Sequence, residues 1–126
     1  MSDLKRDEIK YVRDICKAAY EKQTSCYICG ATENLEFHHY NTMTLLWAKW
    51  KKLNDITITC VDDILEQRLV FKEAHKQEVY KDSVTLCYHH HKEKLHKVYG
   101  KAPLLSTAGK QARWVEKQKV KFNKGK

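Results

Sequence analysis

Apolar residues recur at spacings of three and four positions in several segments of the chain, which is the period of an amphipathic helix. The predicted helices are residues 3–22, capped by Ser2 or Asp3, 43–53, 62 to about 80, capped by Asp62, 90–98 and 106–121. Apolar and polar residues alternate in residues 35–40 and 56–61, which predicts two strands. Helices and strands mixed in 126 residues indicate an α+β fold in one domain, or in one domain with a tail.

Several residues of chemically versatile types are interpreted as structural because of where they fall in these elements. Cys16 lies on the apolar stripe of the first helix and Cys60 has no ligand neighbour, so both are expected to be packed thiols. Trp47 and Trp50 are one helical turn apart, which favours core packing over a binding role. His75 stands alone in its helix and is expected to be a surface residue.

The formal net charge of +8 is concentrated at the C-terminal end of the chain. Residues 101–126 contain eight Lys or Arg and one acid, Glu116, and so carry +7, whereas the first hundred residues carry only +1. Such a segment suits a nucleic-acid backbone, although a solubilising, disordered terminus is the alternative. At helical spacing four of these residues share one face and would position DNA without reading its sequence: Lys110, Arg113, Lys117 and Lys121.

Composition excludes two classes of protein and favours a metal. The chain has no apolar run of about 18 residues, so no membrane span is expected. Its N-terminus has no apolar signal region, and an intracellular, cytoplasmic protein is expected. The five cysteines are an odd number, and a reducing compartment disfavours disulfides, so metal binding gains weight.

Two pairs of cysteine and histidine ligands predict a structural zinc site. Cys26 and Cys29 are separated by two residues and followed by Gly30, which suits a tight knuckle, and Cys87 and His90 repeat that spacing at a helix start. Two such pairs supply the four ligands of a tetrahedral zinc. The alternative is a redox pair at Cys26 and Cys29, which would need a thioredoxin-like βαβ pattern that the chain lacks.

More histidines remain than one zinc needs. His38 and His39 are adjacent in a predicted strand and therefore point to opposite faces, so they are expected to have different roles. His91 and His96 follow the second ligand pair, and His89 lies within it. The surplus histidines are either ordinary polar surface residues or a second, catalytic metal site.

The chain resembles the HNH endonucleases, in particular their zinc-stapled phage and mobile-element type. The resemblance rests on the cysteine knuckle, on residues 35–40 with their double histidine, and on residues 82–87 with the histidines that follow. It covers about residues 26–99 and implies a ββα-metal, treble-clef-like core. On this basis the chain divides into an N-terminal helix (1–25), the core (26–100, with a helical insertion at about 43–80) and a basic C-terminal tail or helix (101–126).

The resemblance also implies roles for individual residues. His39 matches the general base, His38 and His91 match ligands of the catalytic divalent ion, and Asp82 stands in place of the Asn that gives the family its middle letter. An Asp there can fix the loop only as a hydrogen-bond acceptor. A backbone carbonyl or carboxylate is expected to orient His39, with Glu36 a weak candidate for that role.

Two points about the second cluster stay open from sequence alone. Three consecutive histidines (89–91) allow the ligand register to slip by one residue. His96 follows His91 by five residues, whereas helical neighbours on one face are three or four apart. His96 therefore either binds the ion directly or supports the site without touching the metal.

The activity implied is hydrolysis of DNA phosphodiester bonds, by nicking or by cutting both strands, to leave 5′-phosphate and 3′-hydroxyl ends. The expected cofactors are a structural zinc ion and a catalytic Mg²⁺, or another divalent ion such as Mn²⁺, Ni²⁺ or Zn²⁺. Two other classes of function remain. One is a zinc-finger DNA-binding or host-modulating protein that has lost catalysis, and the other is an adaptor that binds partners through Trp47, Trp50 and Trp114.

Overall fold

The computed structural model describes residues 4–17, 20 and 22–125. Five α-helices are α1 (Glu8–Lys17), α2 (Met43–Leu53), α3 (Val61–Ala74), α4 (His96–Tyr99) and α5 (Ala108–Lys124). The two strands are β1 (Leu35–His39) and β2 (Ser83–Cys87), and the remaining elements are π-helical turns at Gln77–Lys81 and His89–Leu95 and a 3₁₀ turn at Leu105–Thr107. The predicted α+β class is confirmed. None of the helices in the described ranges is both long and apolar enough to cross a membrane.

The two strands form one antiparallel ribbon that joins distant parts of the chain. Leu35 lies opposite Cys87 and His39 lies opposite Ser83, so the double histidine of β1 faces the start of β2. The cysteine knuckle is attached to the same ribbon, because the Tyr27 N–H donates to the carbonyl oxygen of Thr85 over 3.0 Å. The ribbon therefore places the knuckle, the double histidine and the segment after β2 beside one another.

One hydrophobic cluster lies between α1, α2 and α3. Phe71 is fully buried at its centre, with ring centroids 5.3 Å from Trp47 and 5.7 Å from Trp50. The two tryptophans are 3% and 7% exposed, which confirms their predicted place in the core. Cys16 is fully buried in the same cluster, as expected of a packed thiol.

A second and smaller cluster supports the ribbon. Its buried aliphatic side chains are Ile28, Leu86, Leu95 and Val115, and the last of these belongs to α5. Apolar burial is worth roughly 25 cal/mol per Å², so four aliphatic residues supply much less stability than the cluster around Phe71. Because Val115 of α5 is buried in this cluster, the C-terminal segment is a helix packed on the core and not a disordered tail.

The predicted helix at residues 43–53 matches α2, whereas the first predicted helix begins later than expected. α1 begins at Glu8, and the Arg6 side chain just before it binds the Asp14 carboxylate at 2.7 Å. Its other predicted end cannot be compared, since residues 18, 19 and 21 lie outside the described residues. The same is true of the proposed caps Ser2 and Asp3.

The strand predicted at residues 56–61 is wrong. Residues 56–59 have no regular secondary structure and pair with no strand in the described part of the chain. The alternation arises instead because Ile56 and Ile58 pack against the helical cluster. Cys60 is 3% exposed, as predicted, and precedes α3.

The helix predicted from residue 62 to about 80 is divided in two. α3 begins at Val61, with Cys60 rather than Asp62 as its cap, and the Asp63 carboxylate accepts hydrogen bonds from the N–H and hydroxyl of Thr59. The helix ends at Ala74, where a separate π-helical turn follows. His75 is half-buried at this break, with its ring stacked on Phe71 at 4.6 Å, so its prediction as a surface residue is wrong.

Candidate active site and metal centres

The four residues of the predicted zinc site come together at the edge of the ribbon. Cys26 and Cys29 lie on the knuckle, Cys87 ends β2, and His90 lies in the first turn of the π-helix that follows. Their ligand atoms all lie within 4.8 Å of one another. Gly30 has φ of +75°, the left-handed conformation that a tight knuckle requires and that glycine adopts without strain.

The spacing of these donors fits a tetrahedral zinc. Around a zinc with Zn–S of about 2.3 Å and Zn–N of about 2.0–2.1 Å, tetrahedral angles put sulfurs about 3.8 Å apart and sulfur and nitrogen about 3.6 Å apart. The Cys29 and Cys87 sulfurs are 3.8 Å apart. The Nδ1 atom of His90 lies 3.4 Å from the Cys87 sulfur and 3.9 Å from the Cys26 sulfur.

The thiols differ in how readily they ionise. Burial raises the pKa of Cys29 to about 11. Burial also opposes ionisation of Cys26, but hydrogen bonds from the backbone N–H groups of Cys29, Cys87 and Ile28 outweigh it and lower the Cys26 pKa. The backbone around the knuckle therefore favours the Cys26 thiolate, whereas Cys29 needs a nearby cation to ionise near pH 7.

A second group of donors comprises His38, His91 and His96. The Nδ1 atom of His38 lies 2.9 Å from Nε2 of His91, which lies 3.0 Å from Nε2 of His96. Two nitrogens held at right angles by a cation about 2.1 Å away would lie about 3.0 Å apart. The His38–His91 and His91–His96 nitrogen pairs thus have the spacing of neighbouring positions in a metal coordination sphere, and all three nitrogens lie within 4.8 Å of one another.

The other ring nitrogen of each histidine is held by an oxygen acceptor. His38 Nε2 lies 2.8 Å from Gln111 Oε1, His91 Nδ1 lies 2.8 Å from Glu36 Oε1, and His96 Nδ1 lies 2.7 Å from the Gly100 carbonyl oxygen. Because these oxygens accept, the outer nitrogens carry the protons and the inner nitrogens keep their lone pairs. This is the arrangement by which proteins orient imidazole ligands toward a metal.

The three lone pairs converge on a space that suits a cation better than protons. Burial lowers the pKa of His38 and of His91 to about 3 each, so these imidazoles stay neutral near pH 7. Lone pairs 2.9–3.0 Å apart repel one another unless a positive charge lies between them. The residues present therefore fit a divalent ion.

The π-helical turn explains how His96 reaches this group. In a π-helix each N–H bonds to the carbonyl five residues earlier, so residues i and i+5 share a face. The His96 N–H donates to the His91 carbonyl oxygen in this way. The same turn directs His90 to the thiols and His91 to His38, which is the register that the sequence favoured. His89 is exposed, contacts Glu93 and the ring of His90, and belongs to neither group of donors.

His39 lies on the opposite face of β1 from His38. Its ring contacts those of Phe37 and Tyr20 at 5.2 and 5.1 Å, and the Val79 backbone makes a hydrogen bond with it. Its Nε2 atom is buried with no hydrogen-bond partner among the described residues. Burial, followed by the charge of Arg13, lowers the His39 pKa to about 4. The imidazole is therefore neutral at ordinary pH and has a nitrogen free to accept a proton.

One cavity of about 380 Å³ joins His39 to the three-histidine group. His38, His39, His91 and His96 all line it, although His38 and His39 leave the strand on opposite sides. A larger cavity of about 960 Å³, between the knuckle, β2 and α5, contains none of these histidines. The smaller cavity is the candidate active site, because it alone of the two carries the convergent imidazoles.

Asp82 does not line this cavity. It connects the two strands of the ribbon through hydrogen bonds. Its carboxylate accepts hydrogen bonds from Gln77 at 3.0 Å and Asn41 at 3.4 Å, and its carbonyl oxygen accepts the N–H of Tyr40 at 3.1 Å. It therefore joins the end of β1 to the start of β2, as an acceptor in each of these bonds.

The four predicted DNA contacts lie on α5. Lys110, Arg113, Lys117 and Lys121 are all exposed at helical spacing. Arg113 and Lys117 border the larger cavity, and none of the four borders the candidate active site.

Sequence reasoning missed Gln111 and assigned Glu36 to the wrong histidine. Gln111 is fully buried, and its amide nitrogen donates to the Tyr40 carbonyl and to the Thr107 hydroxyl, which fixes its oxygen toward His38. A signal was present: Gln111 lies four residues before the buried Val115, where the apolar stripe of α5 calls for an apolar side chain.

Comparison with known proteins agrees with a nuclease. The model of the phage T5 nicking endonuclease family matches the chain over residues 1–126. No solved structure matches the chain.

Proposed function

The chain belongs to the phage T5 nicking endonuclease family, a family of DNA endonucleases, and on that premise we propose that it is an HNH-type enzyme with His39 as general base. The proposal is carried by one observation. His38, His39, His91 and His96 line the same cavity; three of them have converging ring nitrogens, and the Nε2 atom of His39 has no hydrogen-bond partner among the described residues. Its substrate is duplex DNA, and the family favours cleavage of one strand.

The proposed fold of the site is a ββα-metal core. β1 and β2 would be its two strands, and the helical segment from His89 to Tyr99 would be its helix. Residues 26–100 form this core in our assignment, with residues 43–80 as a helical insertion, residues 1–25 as the N-terminal segment and residues 101–126 as the basic C-terminal segment. Asp82 would stand in for the family's Asn, since its acceptor oxygens hold the loop between the strands.

The two donor groups suit two different ions. The thiols of Cys26, Cys29 and Cys87 with His90 are soft donors in closed tetrahedral spacing, which suits a structural zinc. His38, His91 and His96 would hold a divalent ion, Mg²⁺ or a metal that binds imidazole more tightly, with coordination positions left for substrate. When bound, this ion would polarise the scissile phosphate and neutralise charge on the leaving oxygen.

The protein's own residues would direct the proton. His39 is neutral, and its Nε2 would accept a proton from water as the water oxygen attacks phosphorus. The Val79 backbone makes a hydrogen bond with the ring, and Nε2, which has no partner among the described residues, is left as the nitrogen that would accept the proton. As the new P–O bond forms, the bond to the 3′-oxygen breaks and that oxygen takes a proton from solvent water, leaving a 5′-phosphate and a 3′-hydroxyl. Gln111, Glu36 and Gly100 keep the neighbouring imidazoles in the tautomer that binds metal.

Two alternative functions have less support. An inactive DNA-binding protein would need the thiol site, but not the second group of histidines with its own hydrogen-bond partners. An adaptor that used tryptophan anchors would need them exposed, whereas Trp47 and Trp50 are buried and Trp114 is partly buried.

The decisive experiment compares His39→Ala with His89→Ala in nicking of supercoiled plasmid, with and without Mg²⁺. Loss of a general base typically costs 10²–10⁴-fold in rate, so we expect roughly that loss for His39→Ala with zinc content and melting temperature unchanged. His89 is an exposed histidine outside both donor groups, and its variant should retain full activity. Undiminished nicking by His39→Ala would remove His39 from the mechanism.

A further inference from the structure

Four basic side chains surround the opening of the candidate active site. Arg13 and Lys17 come from α1, Lys92 from the π-helix after β2, and Lys101 from the segment after α4. All four are exposed, and all line the same 380 Å³ cavity as the four histidines. The cavity therefore collects positive charge from three separate parts of the chain.

These charges are not neutralised by carboxylates in the described part of the protein. None of the four takes part in an ion pair there, in contrast to Arg6, which binds Asp14, and Lys51, which binds Glu8. The one carboxylate among the residues that line the cavity is Glu36, and His91 already occupies it as a hydrogen-bond donor. The cavity thus offers unpaired cations to an anionic ligand.

Arg13 is the best placed of the four residues. Its Nη2 atom donates to the Thr44 hydroxyl at 3.2 Å, which anchors the guanidinium at the border between α1 and α2. Its charge contributes to lowering the pKa of His39, so it lies close to the proposed base. Lys17 follows one helical turn later on the same face of α1.

We propose that Arg13 and Lys17, completed by Lys92 and Lys101, bind the backbone phosphates that flank the scissile bond. This inference rests on the proposed function and adds a substrate site to it. α1 lies outside the part of the chain that resembles HNH enzymes, so it would be a separate device that seats the DNA strand over His39. The basic face of α5, by contrast, borders the other cavity and would hold DNA farther from the reacting phosphate.

The first test is DNA binding without cleavage. In a His39→Ala background, fluorescence anisotropy would measure the affinity of a labelled 24-base-pair duplex over a range of NaCl concentrations. Each phosphate contact contributes about 0.9 to the slope of log K against log [salt], so Arg13→Ala and Lys17→Ala should each reduce that slope by about 0.9. Lys52→Ala removes an exposed charge from α2 away from the cavity and should leave the slope unchanged.

The second test is cleavage by variants that retain His39. A charge-assisted hydrogen bond is worth about 1.5–3 kcal/mol, so Arg13→Ala should lower kcat/KM roughly 10- to 100-fold, and Arg13→Lys should recover part of the loss. Thr44→Val removes only the anchor and keeps the charge, so its effect should be smaller. If Thr44→Val were as damaging as Arg13→Ala, Arg13 would be structural and the proposal would be wrong.

The outcomes separate this inference from the function on which it rests. If His39→Ala abolishes nicking while Arg13→Ala and Lys17→Ala match Lys52→Ala in slope and in kcat/KM, the phosphate site is wrong and the nuclease mechanism stands. If nicking by His39→Ala is undiminished, the proposed mechanism is wrong, and this inference, which depends on it, is wrong as well.

Discussion

The protein has two halves that differ in the kinds of side chain buried at their centres. In the helical half, α1, α2 and α3 enclose Phe71 and two tryptophans in an apolar cluster. In the metal half, the knuckle, the ribbon, the segment after it and α5 share only four buried aliphatic side chains. All the buried polar residues of the described chain belong to the metal half: His38, Thr85, His91 and Gln111.

The difference shows how a small domain can build a polar active site. Burying imidazoles and thiols costs free energy unless each polar atom finds a partner. The metal half meets that cost with hydrogen bonds outward and with convergent donors inward, which a bound cation would complete. The helical half has no such requirement and supplies the apolar stability that the metal half lacks. We therefore expect the metal half both to contain the active site and to be the less stable of the two halves.

Removing a thiol should have the largest effect. Cys87→Ser breaks the donor group that links the knuckle to the end of β2, and structural zinc contributes on the order of 10 kcal/mol to folding. We expect elemental analysis to show one tightly held zinc fewer per chain. We also expect the fluorescence of Trp114, which packs in the metal half, to change. Cys60→Ser is the matched control, since Cys60 is buried outside the donor group and should keep the zinc. Retention of zinc by both variants would refute the assignment.

The second-largest effect is expected from truncating a side chain at the centre of the helical half. Phe71→Ala removes the ring that both core tryptophans contact, and such changes cost about 3–5 kcal/mol. Thermal unfolding should show a lower Tm, while the zinc content per folded chain stays at the wild-type value. Loss of zinc from the folded variant would show that the two halves do not depend on separate forces.

The smallest effect is expected from replacing Gln111, which holds a histidine of the metal half in place. Gln111→Met removes the acceptor that holds His38, and loss of such a partner typically weakens metal binding 10- to 100-fold. Calorimetric titration with Mn²⁺ or Ni²⁺ should show this loss, with the thiol-bound zinc retained. Gln118→Met, on the same helix but outside the site, should bind these ions as the wild type does. Equal affinities for the two variants would mean that Gln111 does not position His38.

Sequence reasoning was more accurate for the metal half than for the helical half. The grouping of Cys26, Cys29, Cys87 and His90 followed from ligand type and spacing, because short loops leave few ways to gather such residues. In the helical half, periodicity located α2 well but extended α3 beyond its end at Ala74 and predicted a strand at residues 56–61. Those residues alternate because of packing against helices, and a local pattern does not identify its partner.

Local chemistry in the sequence was enough to indicate a zinc knuckle, a double histidine on two faces of a strand, and a basic final helix. Three features depended on how distant segments meet: the π-helical turn that brings His96 to His91, the buried Gln111 of α5 beside His38, and the basic rim that α1 lends to the cavity. Each involves residues whose partners are far away in the chain or whose helix departs from the usual period. Such contacts are chosen by the packing of the whole domain, so spacing along the chain does not reveal them.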